Sequence, residues 1–346
     1  MLKKIILWLK KMLGLARWDP KSTVFTEGSF TGIINDKIKR KTGIKEFVCL
    51  REYEKYFTFL RELKLCEDFQ ITTTYDYLIL KGTYIKSPVF NENNKKLIIF
   101  CHGITNNRWS LFYVIHLVLQ VGYSVLIYDA RNHGKSEKFY LTLGKNEAND
   151  LEDIINWAKE RIQPTAVALY GFSMGAATLL FWLSNFQRRH LKVKAVICEA
   201  PFDNFSEQLT NFLSNPFWGG SLFYKKKEIF FWKNIQRFFS VEKETIITAN
   251  PLDELPYDLA PKLLLLHGLK DKIISWQSSL NIWKHFRKNM GDNSRVNAYF
   301  FHYAGHGEVP FFGDALANNI RWIKQKKSNS RFSYSSLLYS FLTKNL

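Results

Sequence analysis

The sequence predicts an α/β fold: a mostly parallel, doubly wound sheet with an inserted helical cap. Short unbroken apolar runs recur at 97–101, 124–128, 166–170, 193–198 and 263–266, with a last one at 296–301. Such runs mark strands buried on both faces of a parallel sheet. Segments of helical period lie between them, at 109–120, 147–162, 174–186, 276–290 and 309–324, and strands alternating with helices require right-handed crossovers. From 201 to 260 the alternation stops for about 60 residues, too long for a simple crossover.

The elements follow in chain order. Residues 1–20 place Leu2, Ile5, Ile6, Leu9, Met12 and Leu13 at helical spacing among Lys3, Lys4, Lys10, Lys11 and Arg17, a basic amphipathic helix. Its cleanest apolar run, Ile5 to Leu9, is far below the roughly 20 residues of a membrane span. The expectation is a helix lying in a bilayer interface, or docked on the protein's own surface. Residues 21–66 form an extension with one helical stretch, 46–65. A main domain, 67–325, opens with an antiparallel hairpin of 69–73 and 77–84, carries the cap at 201–260, and is followed by a basic, aromatic tail at 326–346. That tail reads either as a second surface-seeking segment or as disordered chain.

Charge is unevenly spread. Of a net +18, residues 1–66 hold 15 Lys and Arg against 7 Asp and Glu, and residues 321–346 hold 6 against none. The basicity belongs to the ends and points to an anionic surface as partner; no motif supports nucleic acid. Cys49, Cys66, Cys101 and Cys198 show no paired spacing, which fits reduced thiols in a cytoplasmic protein and suggests neither a metal site nor a cofactor.

Chemistry in a sheet of this kind gathers at the carboxyl ends of the strands. The run 166–170 leads into Gly171-Phe172-Ser173-Met174-Gly175 and then a helix. That is the strand, sharp turn, helix context in which a Gly-x-Ser-x-Gly serine is presented at the apex. The other strand ends read His102-Gly103-Ile104-Thr105, Asp129-Ala130-Arg131-Asn132-His133-Gly134-Lys135-Ser136, Glu199-Ala200-Pro201-Phe202, His267-Gly268-Leu269-Lys270-Asp271 and Gly305-His306-Gly307. Ser173, Asp271 and His306 thus follow in the order nucleophile, acid, base. Glu199 is the rival acid, and His102, His133, His267 and His302 are rival bases of the kind that more often hold a backbone carbonyl.

With these six motifs the chain resembles the α/β-hydrolases over about residues 69–325, and within them the serine-aminopeptidase-like group that includes bacterial esterases and Bem46-type serine hydrolases. The resemblance implies a serine hydrolase acting on carboxylic esters through an acyl-Ser173 intermediate. His306 is then the base, Asp271 the orienting acid, and the amides of Ile104 and Met174 the oxyanion hole, with Thr105 the alternative to Ile104. His102, Gly103, Phe202, Trp218 and Trp232 are expected near the substrate. The insertion, with 13 aromatic residues, is expected to supply an apolar acyl site. Amide or thioester cleavage on the same scaffold is the runner-up, and a silent protein that binds lipid or a partner the alternative from another class. Localisation is expected to be cytoplasmic, with peripheral contact at the inner membrane face.

Overall fold

Alternate residues of an apolar strand point to opposite sides of a sheet, and here both sides are covered. The computed structural model describes residues 57–89, 95–104, 106–190, 192–208, 248–290, 293–312, 317–319 and 334–346. Its strands are β1 Cys66–Thr72, β2 Ile79–Ile85, β3 Lys96–Cys101, β4 Ser124–Tyr128, β5 Ala166–Phe172, β6 Val193–Glu199, β7 Lys262–Gly268, β8 Val296–Phe301 and β9 Ala317–Asn319. They form one nine-stranded sheet in the order β1-β2-β4-β3-β5-β6-β7-β8-β9. The strands from β4 to β8 run parallel to their neighbours. The hairpin β1-β2 closes one side, antiparallel to β4, and β9 closes the other, antiparallel to β8.

Five helices of eight or more residues are described: α1 Phe112–Gln120, α2 Lys145–Arg161, α3 Met174–Asn185, α4 Gln277–Asn289 and α5 Tyr334–Asn345. One core joins Leu97, Ile99, Leu169, Val196 and Leu265 of the sheet to Leu151 and Ile154 of α2, Leu180 of α3 and Phe286 of α4. The alternate residues Ile98, Phe100, Tyr170, Ile197 and Leu266 meet Ile115 of α1 and Leu338 of α5 in the second core. α2, α3 and α4 therefore cover one face, and α1 and α5 the other, which is the doubly wound layering the sequence predicts.

Two stretches fold differently from expectation. Of the helical pattern at 309–324, the described residues show one helical turn, Val309–Phe312, and a short strand, β9, at Ala317–Asn319. The end of the tail is neither surface-seeking nor disordered over 334–345: it is α5, whose Tyr334, Leu337, Leu338, Phe341 and Leu342 are buried. Spacing of three and four residues puts these on one face, and the sheet's second face gives that stripe a partner. Each such side chain contributes about 1.5 to 3 kcal/mol on burial before ordering costs. The basic helix at 1–20 lies outside the described residues, as do the extension up to residue 56 and the middle of the insertion with Trp218 and Trp232.

Candidate active site

The apolar run of β5 stays buried through Phe172, and α3 begins at Met174, so the chain must reverse within Ser173. Ser173 does so with φ 54° and ψ −115°, a conformation that costs a non-glycine residue on the order of 1–3 kcal/mol. Its surroundings enforce that strain. A Cβ on Gly171 would stand 2.4 Å from the Gly175 carbonyl oxygen, and one on Gly175 would stand 2.1 Å from that of Cys101. β5, α3 and the end of β3 meet backbone to backbone, leaving no room for a side chain at either glycine. The Ser173 N–H donates to the Glu199 carbonyl at 2.9 Å, tying the turn to the end of β6. The hydroxyl is held over the first turn of α3, whose unpaired N–H groups favour negative charge.

Two loops complete the arrangement. His306 Nε2 lies 3.1 Å from Ser173 Oγ, and its Nδ1 lies 2.7 Å from Asp271 Oδ2. Asp271 Oδ1 accepts the N–H groups of Ile273 at 2.8 Å and Ile274 at 3.0 Å. Burial works against the charge on Asp271, but the facing His306, then the hydrogen bonds from His267 and His306, outweigh it. Together they hold the carboxyl well below the usual carboxylate range. An ionised Asp271 takes the Nδ1 proton of His306 as a hydrogen bond, which leaves the Nε2 lone pair for the serine hydroxyl. The geometry therefore sets up proton abstraction from Ser173.

The remaining predicted residues differ in their surroundings. Ile104, Met174 and Phe202 share one apolar cluster with Ala130, Leu141, Leu143, Ile273 and Ile274; Met174 and Phe202 are buried in it, and Ile104 and Ile273 pack partly buried against it. His102 is turned away from any substrate: it is buried, its Nδ1 donates to the Gly103 carbonyl at 2.8 Å, and its Nε2 accepts the Ala130 N–H at 3.0 Å. Burial, with His133 close by, pushes it down to about 3 despite the bond to Gly103, so it is a neutral tie between two strand-end loops. Gly103 sits against the Phe172 ring, where a Cβ would come within 3.0 Å. Trp218, Trp232 and Thr105 lie outside the described residues. Glu199 is buried with its carboxylate on the Tyr170 hydroxyl, and it is Asp271 that meets His306.

Several buried side chains brace the site without touching Ser173, some of them, such as Asp129 and Arg131, in the strand-end motifs and others, such as Glu308 and Asp203, outside any motif. Glu308, buried, accepts the Gly305 N–H at 2.8 Å and braces the loop that carries His306. Asp129 accepts the N–H groups of Arg108 at 2.8 Å and Lys135 at 2.9 Å, and a Cβ on Gly134 would stand 2.2 Å from its carboxyl carbon. The fully buried Arg131 pairs with Asp150 at 2.7 Å and Asp76 at 2.6 Å, fastening that loop to α2 and the hairpin. At the insertion, the Phe205 N–H donates to the Ala249 carbonyl and the Leu252 N–H to that of Asp203, both at 3.1 Å. The insertion thus departs and returns at one point, beside the cluster of Met174 and Phe202. The Asp203 carboxylate fixes that point to α4 through Ser278 at 2.7 Å and Asn281 at 2.8 Å. Among the described residues, no three His, Cys, Asp or Glu side chains group as metal ligands would.

A family model for the alpha/beta hydrolase fold matches residues 96–230, the segment that runs from β3 through Ser173 into the insertion. The chain has the α/β-hydrolase fold. Esterase Pf2001 of Pyrococcus furiosus superposes on this chain with a TM-score of 0.58 at 21% identity, over 82% of this chain and 95% of that one. The Pyrococcus horikoshii acylaminoacyl peptidase superposes with a TM-score of 0.53 at 19% identity, over 73% and 40%. Among curated relatives, the uncharacterized protein YqkD of Bacillus subtilis is 33% identical, over 50% of this chain and 54% of its own. The lysophosphatidylserine lipase ABHD12 of Danio rerio is 27% identical, over 54% and 46%. The chain spans about half the length of these curated relatives.

Proposed function

We propose that this α/β-hydrolase cleaves carboxylic esters with an apolar acyl or aryl part through an acyl-Ser173 intermediate. The observation that carries the reading is the unbroken line from Asp271 Oδ2 through His306 to Ser173 Oγ, with contacts of 2.7 and 3.1 Å. In the first half-reaction Ser173 Oγ attacks the ester carbon as its proton passes to His306 Nε2. The N–H groups of Met174 and Ile104 receive the developing oxyanion, and Asp271 steadies the imidazolium. His306 then gives its proton to the departing alkoxide. Water, deprotonated by the same nitrogen, attacks the acyl-serine, and the proton passes from His306 Nε2 to the departing Ser173 Oγ as the acid is released.

The partly exposed Ile104 and Ile273, backed by the buried Leu141 and Phe202, support a hydrocarbon substituent beside the serine. Because one curated relative is named a lysophosphatidylserine lipase, lipid esters are the first substrates to try. The test is a panel of esters, thioesters and aminoacyl amides of graded acyl length. Fastest turnover of the medium or long esters is expected, with Ser173→Ala and His306→Ala each lowering kcat by several orders of magnitude. Preference for thioesters or amides would move the reading to a deacylase or peptidase. No turnover of any of them would leave a silent binding protein.

The basic amphipathic pattern of residues 1–20 adds a place of work: the cytoplasmic face of an anionic membrane, held reversibly. No helix among the described residues is long and apolar enough to cross a bilayer.

A further inference from the structure

Glu199 ends β6 next to the active site, yet the proton relay does not use it. Its side chain is buried; Oε2 accepts the Tyr170 hydroxyl, and Oε1 meets no donor among the described residues. The Tyr170 hydroxyl lies 2.8 Å from that of Tyr334, the first residue of α5. Both rings are buried. With its own proton on Glu199, Tyr170 accepts the proton of Tyr334, so the two bonds strengthen each other in this dry setting. The main chain of Glu199 meanwhile holds the Ser173 N–H at 2.9 Å. A continuous path thus leads from the C-terminal helix to the strained nucleophile.

We propose that α5 is a working part of the active site, with Tyr334 a positioning residue that acts through Tyr170 to fix Glu199, and through Glu199 the setting of Ser173 and His306. This rests on the serine-hydrolase reading above. The titratable groups facing Glu199 are Tyr170 of β5, Tyr334 of α5, Asp271 after β7 and His306 after β8; Tyr113 of α1 faces Tyr334 in turn. Burial pushes Glu199 up to about 7, against the Tyr170 hydrogen bond and the facing His306, while Asp271 repels its charge. An ionised Glu199 places a negative charge facing His306 in addition to that of Asp271. The Tyr334 hydroxyl therefore bears on both the geometry and the charge around the relay.

The experiment compares the full chain with Tyr334→Phe, Glu199→Gln and the double variant, measuring the pH dependence of ester kcat and KM and the rate of labelling by a fluorophosphonate. Tyr334→Phe keeps the ring and its packing. It is expected to lower kcat and the labelling rate about fivefold, the effect of one hydrogen bond, with KM unchanged. It should also move the near-neutral inflection upward, since Tyr170 then stabilises the carboxylate less. Glu199→Gln should make the profile insensitive to Tyr334→Phe, and adding Tyr334→Phe to it should change kcat by less than about twofold, because the two act in one chain. Leu338→Ala, which loosens α5 without touching the network, should lower Tm and leave the pH profile alone. A Tyr334→Phe enzyme with wild-type kcat and profile and only a lower Tm would overturn the positioning role while the hydrolase reading stands. A wild-type chain that neither turns over esters nor takes up the label would overturn both.

Discussion

Asp271 and His306 are joined at 2.7 Å although they lie 35 positions apart, and the N–H groups of Ile273 and Ile274 favour the same ionised carboxylate. Asp271→Asn should therefore lower kcat on the order of 10,000-fold with little change in KM, because an amide no longer holds the Nδ1 tautomer. Glu199→Gln should cost far less. Steady-state kinetics of the two variants decides between the acids, and a reversal of their order would assign the role to Glu199.

Stability should depend on pH through the same two carboxyls, with opposite signs. The Glu199 carboxyl is raised from 4.5 to about 7 in the folded chain, so its contribution is fully present below 4.5 and is lost as pH rises through about 7. The span is worth about 3 kcal/mol at 1.36 kcal/mol per pH unit. Asp271 is depressed, so its contribution is present above its ordinary value of 3.8 and disappears as pH falls below that. Chemical denaturation at pH 5 and pH 8 should show wild type losing stability on the way up, relative to Glu199→Gln. A difference that is flat across this window would contradict the buried neutral state.

Gly175→Ala should abolish activity and cost several kcal/mol, since the added Cβ would stand 2.1 Å from the Cys101 carbonyl, in backbone that has nowhere to go. Gly122→Ala meets nothing closer than 3.8 Å and violates only its positive φ of 94°, so about 1 kcal/mol is expected. Thermal unfolding of the pair separates steric crowding at the nucleophile from ordinary glycine strain.

For the membrane, Ile6→Asp should weaken co-sedimentation with anionic vesicles, high salt should do the same to wild type, and ester turnover should persist in both cases. Binding that ignores both the substitution and salt would mean that residues 1–20 dock on the protein itself.

The parallel strands were legible because burial on both faces demands runs such as Leu263-Leu264-Leu265-Leu266, which few other elements tolerate. That Ser173, Asp271 and His306 would be brought together was legible because each sits where a strand ends. β9 was not: Ala317-Asn318-Asn319 is short and polar, without the apolar run that marks the other strands, and it pairs antiparallel with β8. The role of α5 was hidden because an amphipathic stripe shows that something will be covered without saying by what. Its tie to the site depends on Tyr334 meeting Tyr170 across 164 residues. His102 misled for a related reason, since a strand-end histidine reads the same whether its nitrogens face a substrate or the main chain.

The most direct test of the central claim is intact-mass and peptide analysis after treatment with a fluorophosphonate. One adduct per chain is expected, on Ser173, formed far more slowly in His306→Ala and not at all in Ser173→Ala. A wild-type chain that stays unmodified, or one modified equally in Ser173→Ala, would contradict the account.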